Sequence, residues 1–369
     1  MRHSVTLNRL GAVQSAMAAR NIDVVVIGPS SNLRYVLEYR ALQTDRLVAL
    51  IVSQESAVMV MPDFESSEFV ETTGFSDVVP WSDRVGPKPA VKDAFARIGT
   101  LPAQPTTIVD DDLPFQFFWQ LREQLGPEPG LSSEFLGELR MIKSSDEQER
   151  IARTGELVSV GIDVAQENAR PGITELDLKR EIEAALWEGG AESVDYVLVQ
   201  AGENSARPHH SAGHDTLRAG EPVLVDIGVC MDDYFADITQ QAFLGDPPAE
   251  YAQAYDVVRA AQEAGFAAVR AGAAVGDVVS AASAVIIDGG YGDWNGPRTG
   301  HGLGVDIHEP PSVIEGNETE LQPGMVITIE PGVYVPGRYG IRIEDTVLVT
   351  EGEAERLTRG ARPLFAKPV

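Results

Sequence analysis

The chain has 369 residues, of which 43% are hydrophobic, and a formal net charge of -27 at pH 7. This length exceeds what one ordinary hydrophobic core encloses, so we expect two domains. The negative charge argues against nucleic acid or an anionic membrane surface as a partner, since both would repel the molecule.

The N-terminus and the cysteine content predict a cytoplasmic protein. No apolar run approaches the ~20 residues that a membrane span needs, and residues 1–4 lead into an amphipathic pattern instead of a signal peptide. The single cysteine, Cys230, excludes an internal disulfide framework and fits a reducing compartment. Its apolar neighbours predict an inert core side chain.

The first 140 residues alternate helix-like and strand-like segments, which predicts a small α/β domain. Leu10, Val13 and Met17 mark one face of an N-terminal helix. Further along, the pattern predicts buried strands at residues 23–28, 47–52 and 57–61 and a helix at residues 115–125.

A domain boundary is predicted near residues 139–146. Ser144 and Glu147 have the spacing of a capping box, which indicates the start of a long helix that ends before Arg170-Pro171-Gly172. We therefore expect one domain at residues 1–140 and a second at residues 144–369.

The second domain contains an internal repeat. Residues 170–190 and 270–290 match at several positions at an offset of 100 residues. Each segment begins with arginine, has glycine two residues and aspartate seven residues after it, and ends with two glycines. Further on, Asp226 and Glu330 correspond at an offset of 104 residues. We expect two helix-helix-hairpin units that face each other and bring their acidic residues to one central point.

Four carboxylates lie on strand-like segments of this repeat: Asp226, Asp237, Glu330 and Glu344. Residues 223–228 and 235–239 predict one tight hairpin, and residues 325–330 and 341–344 predict a second with its turn around residues 336–337. An ionised carboxylate at the end of an apolar run is costly to desolvate, so each pair is expected to bind a cation.

Five of the six histidines lie within one 100-residue stretch: His209, His210, His214, His301 and His308. His301 lies between glycines that let the backbone approach an ion or a substrate. Clustering beside the acids predicts functional roles for His301, His308 and His209, whereas His210 and His214 are expected to be hydrogen-bonded structural residues. The four acids and His301 can hold two divalent metals.

Taken together, these motifs resemble the pita-bread metallopeptidases, and specifically their prolidase and Xaa-Pro aminopeptidase branch. The motifs are GEN at 202–204, PH at 208–209, VDIG at 225–228, DIT at 237–239, GHGLG at 300–304, HEPP at 308–311, IEPG at 329–332 and IRIED at 341–345. The resemblance is strong over residues 144–350 and looser before, where NLRY at 32–35 and LRMIK at 139–143 match. It implies an α+β fold, with a C-terminal pita-bread domain of pseudo-twofold symmetry after a smaller creatinase-like α/β domain.

The resemblance also implies a ligand set for two metals. Asp226 would hold one ion, His301 and Glu330 the other, and Asp237 and Glu344 would bridge the two at the ~3.5–4 Å of two-metal hydrolases. Oxygen donors with one imidazole suit Mn²⁺, which is the expected metal, with Co²⁺ and Zn²⁺ as alternatives.

Catalytic roles follow from the same resemblance. Glu330 would take a proton from the attacking water and later deliver one to the leaving nitrogen. His308 would donate to the oxyanion, and His209 would contact the substrate near the scissile bond. Arg342 would help to bind substrate or orient Glu344, two residues away on one strand face, and a plain buried ion pair is the alternative.

The expected reaction is hydrolysis of the bond before proline in Xaa-Pro dipeptides, by a homodimer whose N-terminal domains mediate dimerisation and cover the active site. Arg40 or Arg46 of a second subunit is a candidate receptor for the substrate carboxylate. Alternatives are a Xaa-Pro aminopeptidase acting on longer peptides, a creatinase-like hydrolase or lyase, and a silent binding protein. The complete ligand set disfavours the last two, because creatinase needs no metal and no ligand is lost.

Overall fold

The computed structural model describes residues 2–296, 298–359 and 363–368, with side chains from residue 8 onward. The chain divides into two compact units, Met1–Arg140 and Met141–Val369. Within the described residues, no helix is both long enough and apolar enough to cross a membrane.

The first unit is built on a six-stranded mixed sheet. Its strands are β1 (Val24–Ile27), β2 (Ala49–Val52), β3 (Ala57–Pro62), β4 (Val78–Trp81), β5 (Thr107–Val109) and β6 (Gly130–Leu131), in the order β4-β3-β2-β1-β5-β6. Strand β2 is antiparallel to both of its neighbours, and the other pairs are parallel. The predicted strands at 23–28, 47–52 and 57–61 are therefore confirmed.

Six helices accompany this sheet: α1 (Arg2–Arg20), α2 (Ser31–Leu37), α3 (Asp63–Thr73), α4 (Lys88–Arg97), α5 (Phe115–Leu121) and α6 (Leu136–Met141). Leu10, Val13 and Met17 are buried on α1, as their helical spacing predicts. Helix α5 is shorter than predicted, because residues 122–125 form turns ahead of Gly126-Pro127.

The second unit contains four long helices, α7 (Ser145–Asn168), α8 (Glu175–Glu188), α9 (Ala249–Ala268) and α10 (Val275–Asp288). Helix α7 begins with the predicted capping box of Ser144 and Glu147. One sheet has the order β17-β9-β8-β7, formed by β7 (Ser193–Ala201), β8 (Pro222–Met231), β9 (Tyr234–Leu244) and β17 (Phe365–Lys367).

A second sheet has the order β11-β10-β12-β15-β16, and a separate hairpin pairs β13 with β14. These strands are β10 (Arg298–Gly302), β11 (Glu309–Ile314), β12 (Val326–Ile329), β13 (Gly332–Val335), β14 (Tyr339–Arg342), β15 (Asp345–Leu348) and β16 (Glu355–Arg356). Each sheet packs against its own helix pair, through one apolar core around Ile162, Ile182 and Ile227 and another around Val278 and Ile327.

The internal repeat appears in the backbone as well as in the sequence. Gly172 donates its amide to the carbonyl of Leu217, and Gly272 donates to Leu321 in the same way. Helices α8 and α10 both end at a paired glycine, Gly189 and Gly289. The helical part of the predicted helix-helix-hairpin repeat is therefore confirmed by matching backbone hydrogen bonds in the two halves.

The first acidic hairpin forms as predicted, and the second does not. Strands β8 and β9 pair antiparallel from Pro222 with Phe243 to Met231 with Tyr234, across a two-residue turn. The prediction that residues 325–330 pair with residues 341–344 is wrong, because β12 pairs with β15 and β14 pairs with β13. The chain changes partner at Glu344, whose amide donates to the Thr239 carbonyl of β9 at 3.0 Å.

Candidate metal centre

The five predicted metal ligands come from five places in the second unit. Asp226 lies on β8, Asp237 on β9 and His301 on β10, while Glu330 directly follows β12 and Glu344 lies between β14 and β15. Four of these side chains are buried, and Glu330 is 21% exposed. The sheets thus place acids from both halves of the repeat at one buried location.

The measured distances join these residues into one cluster. Asp237, His301 and Glu344 offer ligand atoms that all lie within 4.8 Å of one another. The Nε2 of His301 lies 3.5 Å from Asp237 Oδ2 and 3.5 Å from Glu330 Oε1. Asp226 belongs to the same cluster, because the negative charges of Asp237 and Glu330 are close enough to raise the pKa of its carboxyl group.

Three oxygens of the cluster test whether a cation fits there. Asp226 Oδ1, Asp237 Oδ1 and Glu344 Oε1 are buried, and none of them has a hydrogen-bond partner among the described residues. A buried carboxylate oxygen without a donor is costly, and three in one cluster are a set that divalent cations satisfy. The donor set of carboxylates and one imidazole fits a hard or borderline metal ion.

Arg342 binds a different carboxylate from the one that its sequence position suggested. Its Nη2 donates to Asp226 Oδ2 at 2.6 Å, and its Nε lies 4.0 Å from Glu330 Oε2. It approaches Glu344 through Thr239, because Nε donates to Thr239 Oγ1, which donates to Glu344 Oε2 at 2.6 Å. The alternative of a buried ion pair therefore describes Arg342 better than direct orientation of Glu344.

Several residues around the ligands were not predicted from the sequence. Tyr196 Oη donates to Asp237 Oδ2 at 2.5 Å, and Thr346 Oγ1 donates to the Asp237 carbonyl. Gly228 leaves space for this tyrosine, because a Cβ there would lie 2.6 Å from the ring. The only sequence signal for Tyr196 is the glycine of the VDIG motif, which indicates close packing without naming the partner.

The glycines beside His301 permit close packing against the backbone of neighbouring segments, and the predicted approach to an ion or a substrate stays a prediction. A Cβ on Gly300 would lie 2.0 Å from the Thr328 carbonyl oxygen, and one on Gly302 would lie 2.3 Å from the Pro310 carbonyl oxygen. The backbone amide of His301 donates a hydrogen bond to Thr328 Oγ1, and its Nδ1 contacts the Gly302 carbonyl at 3.0 Å. This contact leaves Nε2 directed at the acids.

His308 lies next to the metal cluster, because its ring is 4.1 Å from the His301 ring, centroid to centroid. His209 is exposed and close enough to His308 to influence its pKa. Burial, with the nearby charges of His301 and Arg298, lowers the pKa of His308 to about 4. At neutral pH its imidazole is uncharged and has one N–H to donate.

A buried ion pair follows His308. Lys143 Nζ lies 2.6 Å from Glu309 Oε1, and both side chains are almost completely buried. A Cβ on Gly304 would lie 2.4 Å from the same Glu309 oxygen. The pair therefore anchors the backbone directly after His308 against the start of the second unit.

Other predicted residues lie elsewhere. Cys230 is fully buried in β8. Arg46 belongs to the first unit, where it donates to both oxygens of Asp83, with Nη2 to Oδ2 at 2.9 Å. His210 Nε2 lies 3.1 Å from Glu175 Oε2, which suits the structural role expected of it.

Two acids of the cluster, Asp226 and Glu344, have a raised pKa and hold protons more tightly than ordinary carboxyl groups. Burial raises the pKa of Asp226 to about 7, although Arg342 opposes the shift. Burial and the charge of Asp237 raise the pKa of Glu344 well above its usual range. For His301, burial opposes protonation, but the hydrogen bond with Asp237 and the charge of Glu330 outweigh it and raise the pKa.

These shifts predict pH-dependent metal binding. A cation must displace the proton of Asp226, so we expect the affinity for Mn²⁺ to rise between about pH 6 and about pH 8, with proton release. Calorimetric titration in buffers of different ionisation enthalpy measures both quantities. Asp226→Asn removes this proton and should reduce the pH dependence, while Glu344 and His301, whose pKa values are also raised, still contribute to it. An affinity of the native protein that does not change with pH would contradict the prediction.

The raised pKa of Asp226 also determines how the stability of the metal-free protein changes with pH. The folded state binds the Asp226 proton more tightly than the unfolded state, so this residue stabilises the fold at low pH. That contribution is lost as the pH rises from about 4 through 7.

Two protein-family models together match most of the chain. Residues 149–351 match the model of metallopeptidase family M24, and residues 9–142 match the creatinase/prolidase N-terminal domain. A probable dipeptidase PepE of Mycobacterium tuberculosis is 34% identical over 99% of this chain and 97% of the relative.

Two crystal structures are similar in fold along their full length. Dipeptidase PepE from Mycobacterium ulcerans superposes with a TM-score of 0.93 at 33% identity and covers 100% of both chains. A recombinant prolidase from Thermococcus sibiricus superposes with a TM-score of 0.90 at 32% identity, covering 97% of this chain and 98% of that one.

Proposed function

Because the chain belongs to metallopeptidase family M24 and carries a creatinase/prolidase N-terminal domain, we propose that it hydrolyses the peptide bond of Xaa-Pro dipeptides. The family membership and the fold class were both predicted from the sequence and are confirmed by these matches. The full-length similarity to proteins named dipeptidase and prolidase supports the choice of a short peptide substrate.

The observation that carries the proposal is the set of three buried carboxylate oxygens that lack a hydrogen-bond donor among the described residues. Asp226, Asp237, Glu344, His301 and Glu330 would hold two divalent ions, with Mn²⁺ as the proposed metal. When bound, such ions polarise the peptide carbonyl and lower the pKa of the attacking water.

The residues of this chain supply the remaining parts of the reaction. Glu330 is the most exposed of the five ligands at 21%, so its carboxylate can take a proton from the attacking water and return it to the leaving nitrogen. His308, uncharged at neutral pH, can donate its N–H to the oxygen that gains negative charge in the tetrahedral intermediate. His209, exposed beside it, is proposed to contact the substrate.

Arg342 contributes by holding Asp226. Its guanidinium is 95% buried and donates to Asp226, Thr239 and Tyr334. A side chain with this many fixed partners orients carboxylates and hydroxyls of the centre, so we assign it a positioning role as well as the proposed substrate contact. Preorganised partners of this kind reduce the reorganisation that catalysis needs.

A substrate panel tests the proposed function. The protein loaded with Mn²⁺ is assayed on Leu-Pro, Leu-Ala and a tripeptide that begins with Leu-Pro, with a chelator-treated sample as the control. Cleavage of Leu-Pro alone supports a dipeptidase specific for proline. Cleavage of the tripeptide instead supports an aminopeptidase, and activity that survives complete metal removal would overturn the metal-dependent mechanism.

The proposal also includes a homodimer in the cytoplasm. Light scattering on the purified protein measures the mass of the assembly directly.

Arg40 and Arg46 remain proposed partners of the substrate carboxylate, although Arg46 already binds Asp83 through two of its nitrogens. Unchanged kinetics of Arg46→Ala on both dipeptide and tripeptide would exclude that role for Arg46.

A further inference from the structure

Glu175 is a buried carboxylate outside the metal centre, and it is completely inaccessible to solvent. It is the first residue of α8. Its carboxylate accepts three hydrogen bonds and contacts a histidine ring nitrogen. Its Oε1 accepts from the Ala201 amide at 2.8 Å and from Asn204 Nδ2 at 3.0 Å. Its Oε2 accepts from the Gly213 amide at 3.1 Å and contacts His210 Nε2 at 3.1 Å.

All four partners belong to one segment, residues 201–213, which we call the histidine loop because it contains His209. Gln200 binds the interior of the same loop, since its Nε2 donates to the carbonyls of Pro208 and His210 at 3.2 and 3.1 Å. The backbone is thus fixed on both sides of His209. The His209 side chain itself remains exposed.

The internal repeat provides a comparison within the same molecule. The amide of Glu175 donates to the Asp215 carbonyl at 3.0 Å, and the amide of Val275 donates to the Thr319 carbonyl at 2.9 Å. The next amides, of Leu176 and Gly276, donate to the carbonyls of Gly213 and Asn317, both at 2.9 Å.

The second half of the repeat thus forms the same backbone hydrogen bonds with a valine where the first half has a glutamate. A carboxylate is therefore not needed to start the helix or to bind the segment that accepts these backbone hydrogen bonds. What the glutamate adds in the first half is the set of bonds to the histidine loop. Burying a carboxylate is costly, so its presence here points to a requirement of that loop.

We propose that Glu175 is a positioning residue that fixes the histidine loop and thereby holds His209 in place for substrate. This inference rests on the proposed function, because the substrate contact of His209 is part of that proposal. Misplacing a contacting group by about 1 Å can lower a rate about 100-fold, so a buried anchor of this kind is functionally significant.

A metal site is the competing interpretation of the same residues. Glu175, His210 and Asp215 offer ligand atoms within 4.8 Å of one another. However, both oxygens of Glu175 already have two partners each, and Asp215 Oδ2 accepts from Asn204 Nδ2 at 3.1 Å. These hydrogen bonds favour an anchor for the loop over a third cation.

The first test measures the loop without using activity. Hydrogen exchange of the Ala201 and Gly213 amides is compared between the native protein and Glu175→Gln, in which one carboxylate oxygen becomes an amide that cannot accept. We expect faster exchange at Gly213 or Ala201. Exchange should be unchanged at the amides of Val275 and Gly276, which form the equivalent helix start in the second half of the repeat. Glu181→Gln, an acid on the partly exposed face of the same helix, is the matched control and should change neither.

The second test is a double-mutant cycle on Leu-Pro hydrolysis with Glu175→Gln and His209→Ala. If Glu175 acts through His209, we expect kcat/KM to fall about 10-fold to 100-fold in the native background and less than about threefold in the His209→Ala background. A metal content of two ions per chain should be retained. Glu175→Val, the residue of the other repeat, should lower kcat/KM further if it folds.

These outcomes separate the inference from the proposed function. If the native protein fails to cleave Leu-Pro, the proposed function is wrong, while the exchange experiment still tests the anchor. Equal losses in both backgrounds would overturn the positioning role, as would unchanged exchange in Glu175→Gln. A third bound ion that disappears in Glu175→Gln would replace the anchor by a metal site.

Discussion

Glu330→Gln is expected to abolish most of the peptidase activity, with kcat/KM lowered about 10²-fold to 10⁴-fold, the range typical for loss of a general acid-base group. Glutamine has the shape of glutamate and retains one oxygen donor. It cannot accept a proton from the attacking water at neutral pH. The fall should appear mainly in kcat, because the group acts on the transition state.

The control for this substitution is Glu318→Gln, which changes an exposed acid of the same domain and should leave kcat/KM unchanged. Metal content is measured on both variants, so that loss of an ion is separated from loss of the proton carrier. A Glu330→Gln enzyme that keeps its metal and loses less than about threefold in kcat/KM would remove Glu330 from the acid-base role.

Arg342→Met is expected to destabilise the metal-free protein strongly. Arg342 and Asp226 form an ion pair at 2.6 Å with side-chain exposures of 5% and 9%, so methionine leaves Asp226 buried without its cation. Removing one partner of a buried pair typically costs about 3–5 kcal/mol when the other partner keeps its charge. The loss should therefore grow as the pH rises above the pKa of Asp226, about 7. The loss is measured as the change in the free energy of unfolding of the metal-free protein in urea.

Two further samples identify the cause of that loss. Arg342→Met combined with Asp226→Asn removes both charges and should recover much of the stability, because the isolated carboxylate is gone. Saturating Mn²⁺ should also recover stability in the single variant, because a cation at the centre binds only the folded state. If neither sample recovers stability, lost packing rather than the unpaired charge explains the effect.

The first acidic hairpin could be predicted from the sequence because its determinants are local. Residues 223–231 and 234–244 are separated by only two residues, Asp232 and Asp233, and both have positive φ. Such a short connection fixes the register of the strands, and the register places Asp226 and Asp237 on the same face of the sheet, two residue pairs apart. Helix caps such as Ser144 with Glu147 are equally local, and they form as predicted.

The second half of the centre depends on contacts between distant parts of the chain. Residues 325–330 and 341–344 have the composition of strands, but composition does not specify the partner of a strand. Glu344 reaches the centre because its amide binds Thr239, 105 residues earlier. The sequence therefore predicted Glu344 and the strands on either side of it. The hairpin that it predicted for these residues is wrong.

Contacts between particular side chains are the feature of the site that is hardest to predict from the sequence. Arg342 lies two residues from Glu344, yet its shortest hydrogen bond is to Asp226, 116 residues away. Tyr196 donates to Asp237 across 41 residues, and no periodicity or motif signals a phenol at that point. Such contacts depend on how sheets and side chains pack, which hydrophobic patterns do not determine.

Anomalous X-ray diffraction from crystals grown with Mn²⁺ tests the central claim most directly. We expect two manganese peaks within the cluster, contacted by Asp226, Asp237, His301, Glu330 and Glu344, with the three oxygens that lack donors directed at them. Crystals that show no manganese at these side chains despite saturating metal would contradict the account.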